Sequence, residues 1–366
     1  MNETQKAPLF RLAKREGLSQ GKAMAIRLAS IVLALVVGGI LMGALGNNPV
    51  QAYATIIDGA LGKPSAIRQT VKNFIPLLGT ALAIAPCFKM KFWNIGAEGQ
   101  ITAGAICSTY FALFWADKLP HMPLLLVMAL AGILGGGLWA LIPAFFKARW
   151  GTNETLFTLM MNYVAIQITS YCVALWENPY GSNVVGIINQ STKDGWFPEL
   201  FGQAYGLNVL IVAVLTVGMY IYLKSSKQGY EIAVVGESQN TARYAGIRLS
   251  KVFIRTMAIS GAICGLAGFI AVAGASHTIS TSTAGGRGFT AIIVAWLAQF
   301  NTFVMVLISF LLVFLQKGAI QIASQFKLND FASNVITGII LFCIIGSEFF
   351  IQYKLIFRGR KEAHHS

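Results

Sequence analysis

Apolar runs of membrane-spanning length, repeated along the whole chain, restrict what this sequence can become more than any other feature. Ile26–Leu45, Leu124–Phe146, Leu156–Trp176, Leu207–Leu223 and Val252–Ala273 each approach the ~20 apolar residues that a helix needs to cross a bilayer. Only 11% of the 366 residues are charged, against about 25% in soluble domains. In hydrocarbon every backbone polar group must be satisfied within the structure, and continuous runs of this length do so as helices. The fold class expected is an all-α polytopic membrane protein.

Further segments bring the expected count to about ten transmembrane helices. Thr70–Ala85 reads as a short span interrupted by Pro76, and Ile101–Trp115, Asn301–Gln316 and Phe331–Phe350 read as ordinary spans. Phe289–Phe300 is too short to cross alone, and with the polar run Gly274–Gly288 before it reads as a broken helix. Asn47–Arg68, with Val50, Tyr53, Ile56, Ile57 and Leu61 at helical spacing, reads as a surface helix on the outer side.

Charge sets the orientation. The formal net charge is +14, with 28 Lys and Arg against 14 Asp and Glu, and the cations cluster between spans and at both ends. This is the positive-inside pattern, not a basic domain for nucleic acid. It divides the chain into a cytoplasmic N-terminal segment 1–25, a transmembrane domain 26–353 with a cytoplasmic loop 224–251, and a cytoplasmic tail 354–366. The loop Glu177–Gly206, with one Lys and no Arg, falls outside. The five cysteines stand singly in or beside apolar runs, so neither a disulfide framework nor a metal site is read from them, and no cofactor is expected.

One polar stretch interrupts this pattern. Lys91–Gln100 (KFWNIGAEGQ) lies between two apolar segments. Irregular backbone at membrane depth survives where protein or a water-filled cavity solvates it, and a carboxylate there, Glu98, usually has a function. The plainer alternative is a short cytoplasmic loop with a solvated glutamate, since Lys89 and Lys91 mark a possible membrane edge. Asn162, embedded in the fifth span, bonds either a ligand or a neighbouring helix. The interrupted regions follow the second and seventh spans, which run in opposite directions. That order specifies an inverted repeat, the architecture that places transporter sites between discontinuous helices. The glycines at 135–137, and Ser260, Gly261, Gly265 and Gly268, read as close-packing faces.

In the cytoplasmic loop, Ser238 or Asn240 is placed to cap a short helix through Ala245, ended by Gly246. Such a helix is either a peg for a partner's groove, with Ala242, Ala245 and Gly246 allowing close approach, or an ordinary interfacial helix. Catalysis finds no support, because no phosphate loop of the G-x-x-x-x-G-K-[ST] type, serine elbow or H-E-x-x-H motif is present.

At these stretches the chain resembles a known family. N-I-G-A-E-G-Q at Asn94–Gln100, G-T-N-E at Gly151–Glu154, L-M-M-N-Y at Leu159–Tyr163, V-G-E-S-Q-N-T-A-R-Y-A-G-I at Val235–Ile247 and G-F-T-A-I at Gly288–Ile292 are similar to the membrane permease subunits of ABC importers for nucleosides and simple sugars. Ribose and branched-chain amino-acid permeases are more distant relatives. The departure is Trp93, standing between Phe92 and Asn94. The resemblance implies a subunit of the bacterial cytoplasmic membrane that translocates a small polar solute, a nucleoside first, by alternating access. It implies as partners a second permease (the same chain or a paralogue), cytoplasmic ATP-binding subunits and an extracytoplasmic solute-binding protein. Asn94, Glu98, Gln100, Asn162, Arg287, Phe289 and Thr290 would then line or brace the pathway. Gly236, Glu237, Asn240, Ala242, Arg243, Ala245 and Gly246 would form the coupling segment. The competing reading is an ion-coupled secondary carrier, for which Glu98 and Glu348 are the few embedded acids.

Overall fold

The computed structural model describes residues 10–14, 20–44, 46–200, 202–203, 205–327 and 353–357, with single positions between 335 and 351. In chain order the elements are β1 (Phe10–Lys14), α1 (Gln20–Ala44), α2 (Pro49–Leu61), α3 (Pro64–Lys89), α4 (Ala97–Phe114), α5 (His121–Trp150) and α6 (Glu154–Leu175). Then come α7 (Gly206–Ser225), α8 (Lys227–Glu237), α9 (Gln239–Tyr244), α10 (Leu249–Ala271) with a π-turn at Val272–Ser276, α11 (Arg287–Leu297), α12 (Thr302–Gln325) and β2 (Tyr353–Phe357).

Two units are present. The first comprises Met1–Ile67 with Phe314–Ser366. Within it β1 pairs antiparallel with β2, Phe10 opposite Phe357, a short ribbon in a chain whose other described elements are helical, as expected. Asn48 caps α2 by accepting a bond from the Val50 amide at 2.9 Å. The segment Val32–Ala44 of α1 and α2 bend by 113°. Ala52, Thr55, Ile56 and Ala60 are buried, and Thr55 Oγ1 donates to Gln325 Oε1 at 3.0 Å. The region expected as a surface helix is therefore a packed partner of α12. Its buried positions recur at helical spacing, which marks a packing face as readily as an interfacial one.

The second unit, Arg68–Val313, is built on three helices in backbone contact. A Cβ on Gly265 of α10 would lie 2.0 Å from the Gly132 carbonyl oxygen of α5, and one on Gly104 of α4 would lie 2.4 Å from Gly265 Cα. Only a residue without a side chain permits this approach, which gives dispersion and close packing where the hydrophobic effect is absent. The small-residue faces read from the sequence meet here. α4, rich in Gly, Ala, Ser and Thr, is buried without a break from Ala97 to Ala105.

Among the described residues six helices are long and apolar enough to cross a membrane: α3, α5, α6, α7, α10 with its π-turn, and α12; the bent α1–α2 pair would make seven. The expected count of about ten is not reached for identifiable reasons. α4 begins with Glu98 and Gln100 and is too polar, α11 has only 11 residues, and the span expected at Phe331–Phe350 lies almost wholly outside the described residues. Pro76, expected to interrupt the second span, does not. α3 runs through both Pro76 and Pro86, buried from Ile75 to Phe88. Thr80 Oγ1 donates to the Pro76 carbonyl at 2.8 Å. The carbonyl that a proline leaves without a donor lies one turn before it, and membrane helices tolerate the loss where neighbouring groups can re-satisfy it.

Candidate functional site

The break between α3 and α4 is seven residues long, Met90 to Gly96, and its polar groups are met by the protein. Asn94, 0% exposed, accepts bonds at Oδ1 from the Gly96 amide at 3.0 Å and from Gln100 Nε2 at 3.1 Å. Its Nδ2 reaches Ser260 Oγ of α10 at 3.3 Å. Asn162 of α6 donates to the Ile95 carbonyl at 2.9 Å and accepts from the Gly99 amide at 2.8 Å. Thr158, one turn earlier, accepts from the Ile95 amide at 3.1 Å. A buried loop is tolerated when its donors and acceptors are paired in this way.

Glu98 closes the arrangement. It is 6% exposed and sits in the first turn of α4, with Oε1 accepting from the Gly288 amide at 3.0 Å. Gly288 lies in the first turn of α11. The carboxylate thus stands between two helix N-termini, where both sets of unpaired amides favour negative charge. A Cβ on Gly288 would lie 2.6 Å from the Glu98 amide nitrogen, so the approach requires glycine. Arg287 interacts electrostatically with Glu98 and donates from Nη1 to the Thr283 carbonyl at 3.0 Å. From this junction α11 runs to the end of α3, where Trp296 stacks on Trp93 with ring centroids 5.6 Å apart.

The seven expected pathway residues therefore separate. Asn94, Glu98, Gln100 and Asn162 are buried and hold backbone and one another. Arg287 and Thr290 are partly exposed, and Phe289 is 46% exposed. Thr158, Ser260 and Gly288 are structural partners that sequence reading did not assign to the site; a hydroxyl or glycine carries no sign of what it will pair with. Asn153 serves as the N-cap of α6, accepting from the amides of Thr155 and Leu156 at 3.0 and 3.2 Å.

The loop 224–251, expected on the cytoplasmic side, forms two helices, α8 and α9. Ser238 caps α9 by accepting from the Thr241 amide at 3.2 Å, and Gly246 ends the turn at φ +76°, as its spacing suggests. Of the seven expected coupling residues, Glu237, Asn240, Arg243, Ala245 and Gly246 are exposed. Gly236 is buried against α3, where a Cβ would stand 2.0 Å from the Lys89 carbonyl oxygen. Ala242 faces inward at 0% exposure, so it contributes to packing rather than to an outer surface. It belongs to one hydrophobic cluster with Cys87, Met90, Phe92, Ile232, Val235 and Met257. The loop is thereby packed directly against the residues that open the α3–α4 break.

Residues 67–345 match the family described as the permease component of the branched-chain amino acid transport system, well over half the chain. The chain belongs to this family. The permease is similar to a glucose ABC transporter permease of Haloferax volcanii, 28% identical over 89% of this chain and 88% of that protein. It is also similar to a guanosine ABC transporter permease of Bacillus subtilis, 29% identical over 88% and 93%. A nucleoside ABC transporter permease of Lactococcus lactis is 28% identical over 90% and 92%. The permease is a multi-pass membrane component and not an enzyme; ATP hydrolysis lies on separate subunits.

Proposed function

We propose that the permease carries a nucleoside across the cytoplasmic membrane as the membrane subunit of an ATP-driven importer. The observation that supports this most is the likeness, over nearly the whole chain, to permeases named for guanosine and for nucleosides. The exposed ring of Phe289 beside the Thr290 hydroxyl adds a physical rationale. An aromatic face suits a nucleobase and a hydroxyl suits a ribose. Glu98 and the amides of Asn94, Gln100 and Asn162 hold the starts of α4 and α11 in place behind that surface. A simple-sugar substrate is the second reading, supported by the comparable likeness to a glucose permease.

In this proposal the exposed face of Glu237, Asn240, Arg243, Ala245 and Gly246 meets an ATP-binding subunit, and both chain ends are cytoplasmic. A second permease subunit and a solute-binding protein complete the importer. The uptake of radiolabelled guanosine and glucose by a deletion strain, with and without the restored gene, tests the substrate. Guanosine uptake that returns with the gene and persists when the proton gradient is collapsed supports the reading. Glucose uptake alone moves it to sugars, and uptake abolished by an uncoupler at unchanged ATP moves it to an ion-coupled carrier. Within the nucleoside reading, Phe289→Ala is expected to raise the KM of uptake by about tenfold, the worth of one base–aromatic contact of ~1–3 kcal/mol.

A further inference from the structure

A recess of about 280 Å³ opens between α8, the α9–α10 connection and the start of α10, lined by Lys227, Glu231, Arg248, Lys251 and Arg255 together with the short segment Ala245–Ile247. Four cations face one carboxylate there. Glu231 Oε2 accepts from Arg255 Nη2 at 2.9 Å, so that carboxylate is engaged at the inner wall. The buried Arg255 Nε, beside the Tyr222 hydroxyl, makes no hydrogen bond of ordinary geometry. Lys227, Arg248 and Lys251 are exposed at the rim, and none makes an ion pair among the described residues. Like charges brought together repel unless an anion lies among them.

The recess also lies at a definable depth. It is framed where α7 ends at Ser225 and α10 begins at Leu249, two helices of spanning length. Beside it Ser250 Oγ donates to the Ala148 carbonyl at 3.2 Å, which places the end of α5 at the same level. The aromatic rings there point outward: Trp150 is 62% and Tyr230 is 67% exposed. Exposed Trp and Tyr at helix ends mark the membrane–water boundary.

We propose that this recess binds a phosphate group, supplied in the membrane by the headgroup of an acidic phospholipid. Basic pockets at helix ends on the cytoplasmic side hold such headgroups, and the guanidinium fork of Arg248 or Arg255 matches phosphate oxygens. Gly246 and Ala245 leave one wall of the recess without bulky side chains, so a headgroup has room beside the cations. The transported solute does not enter this inference; Ala245 and Gly246 border both the recess and the face proposed to meet an ATP-binding subunit, so the test is made on the permease without that subunit.

The test uses the full-length permease, delipidated in mild detergent and examined by native mass spectrometry after adding phosphatidylglycerol or phosphatidylcholine. The Arg248→Gln/Lys251→Gln double variant is compared with Lys224→Gln/Arg149→Gln, which removes two exposed cations outside the recess. Preferential retention of phosphatidylglycerol, weakened about tenfold or more in the first pair and no more than about threefold in the second, is expected from ~1 kcal/mol per surface cation. A parallel arm adds inorganic phosphate. Displacement of phosphatidylglycerol by millimolar phosphate, with the same dependence on Arg248 and Lys251, keeps the phosphate site and assigns its source to a soluble anion. No preference for phosphatidylglycerol and no effect of phosphate overturns the proposal, as does an equal loss in the two double variants. Both pairs are exposed side chains, so monodisperse elution of each confirms folding. The single variant Lys227→Gln, expected to weaken retention about fivefold, repeats the test at the opposite rim.

Discussion

The two helix breaks of this permease are built differently. The α3–α4 break is buried and fixed by three neighbouring helices, through Thr158 and Asn162 of α6, Ser260 of α10 and Gly288 of α11. The α10–α11 connection, residues 277–286, is tied mainly to itself and to the 177–206 loop. Ser280 donates its amide to Thr283 Oγ1 at 2.8 Å, and Ser280 and Ser282 share a hydroxyl bond at 3.1 Å. Gly285 and Gly286 take left-handed conformations at φ +59° and +76°, which only glycine adopts without strain. Breaks in transporter helices are often treated as equivalent halves of one device. Here the first is a fixed anchor, and the second has fewer partners and the freer backbone, which are the properties of a segment that moves.

The contrast can be broken most severely where α4, α5 and α10 meet at Gly265. Gly265→Leu would drive a side chain into the Gly132 carbonyl and the α5 backbone. Loss of nearly all monodisperse protein on size-exclusion chromatography is expected, while Gly218→Ala, which meets nothing within 4 Å, leaves the yield unchanged. Next in size is Asn162→Leu. It leaves the Gly99 amide and the Ile95 carbonyl buried and unpaired, at about 2–6 kcal/mol for the two. A large drop in the thermal midpoint should follow, against a shift within about 0.5 kcal/mol for Ser282→Ala in the exposed connection. Equal shifts in the two variants would remove the distinction between anchor and mobile segment.

Glu98 separates hydrogen bonding from charge. Glu98→Ala removes the acceptor of the Gly288 amide and should cost about 1.5–3 kcal/mol, the worth of a bond to a charged group. Glu98→Gln retains an acceptor, so a stability near wild type with reduced uptake would show that the charge itself acts during transport. Normal uptake by Glu98→Ala at normal expression would take this residue out of the mechanism.

The smallest effect belongs to the start of the second break. His277, just past the spanning segment Leu249–Ser276, stacks on Trp196 at 3.8 Å, and its carbonyl accepts from the Ile188 amide at 2.8 Å. Burial first, and Lys72 second, lower its pKa from 6.5 to about 4. The clasped form therefore stays neutral while the open form takes up a proton between those values. The clasp should hold above pH 6.5 and loosen as the pH falls toward 4. Hydrogen exchange over residues 186–198 at pH 7.5 and 5 measures this, and His277→Gln should abolish the difference.

Much of this was legible in the sequence, for physical reasons. Spans α5, α6, α7 and α10 announce themselves because hydrocarbon demands long apolar runs, and Ser238 and Gly246 mark helix ends through local bonds and local backbone geometry. Pro76 misleads because its cost depends on the surroundings, which lie far away in sequence. α4 is legible from Ile101 onward, but its buried first turn, Ala97–Gln100, reads as part of the break because Glu98 and Gln100 lower its hydropathy. The polar motif was visible, but the division between buried braces and exposed residues was not. Glu98 meets Gly288 across 190 positions, and only folding brings them together. Ala242 shows the same limit: its small size suggested room for a partner, whereas it fills space inside the protein.

The shared cluster of Ala242, Phe92 and Met257 carries a consequence for inheritance and engineering. If the exposed residues of α8 and α9 meet an ATP-binding subunit as proposed, that surface cannot be grafted onto another permease by exchanging the exposed residues alone. The inward half of the same short helix is fitted to the floor beneath the polar motif, so the two must be transplanted as one piece. A chimera that swaps α8 and α9 without Met90 and Phe92 would inherit the address of its new partner and lose the means to answer it.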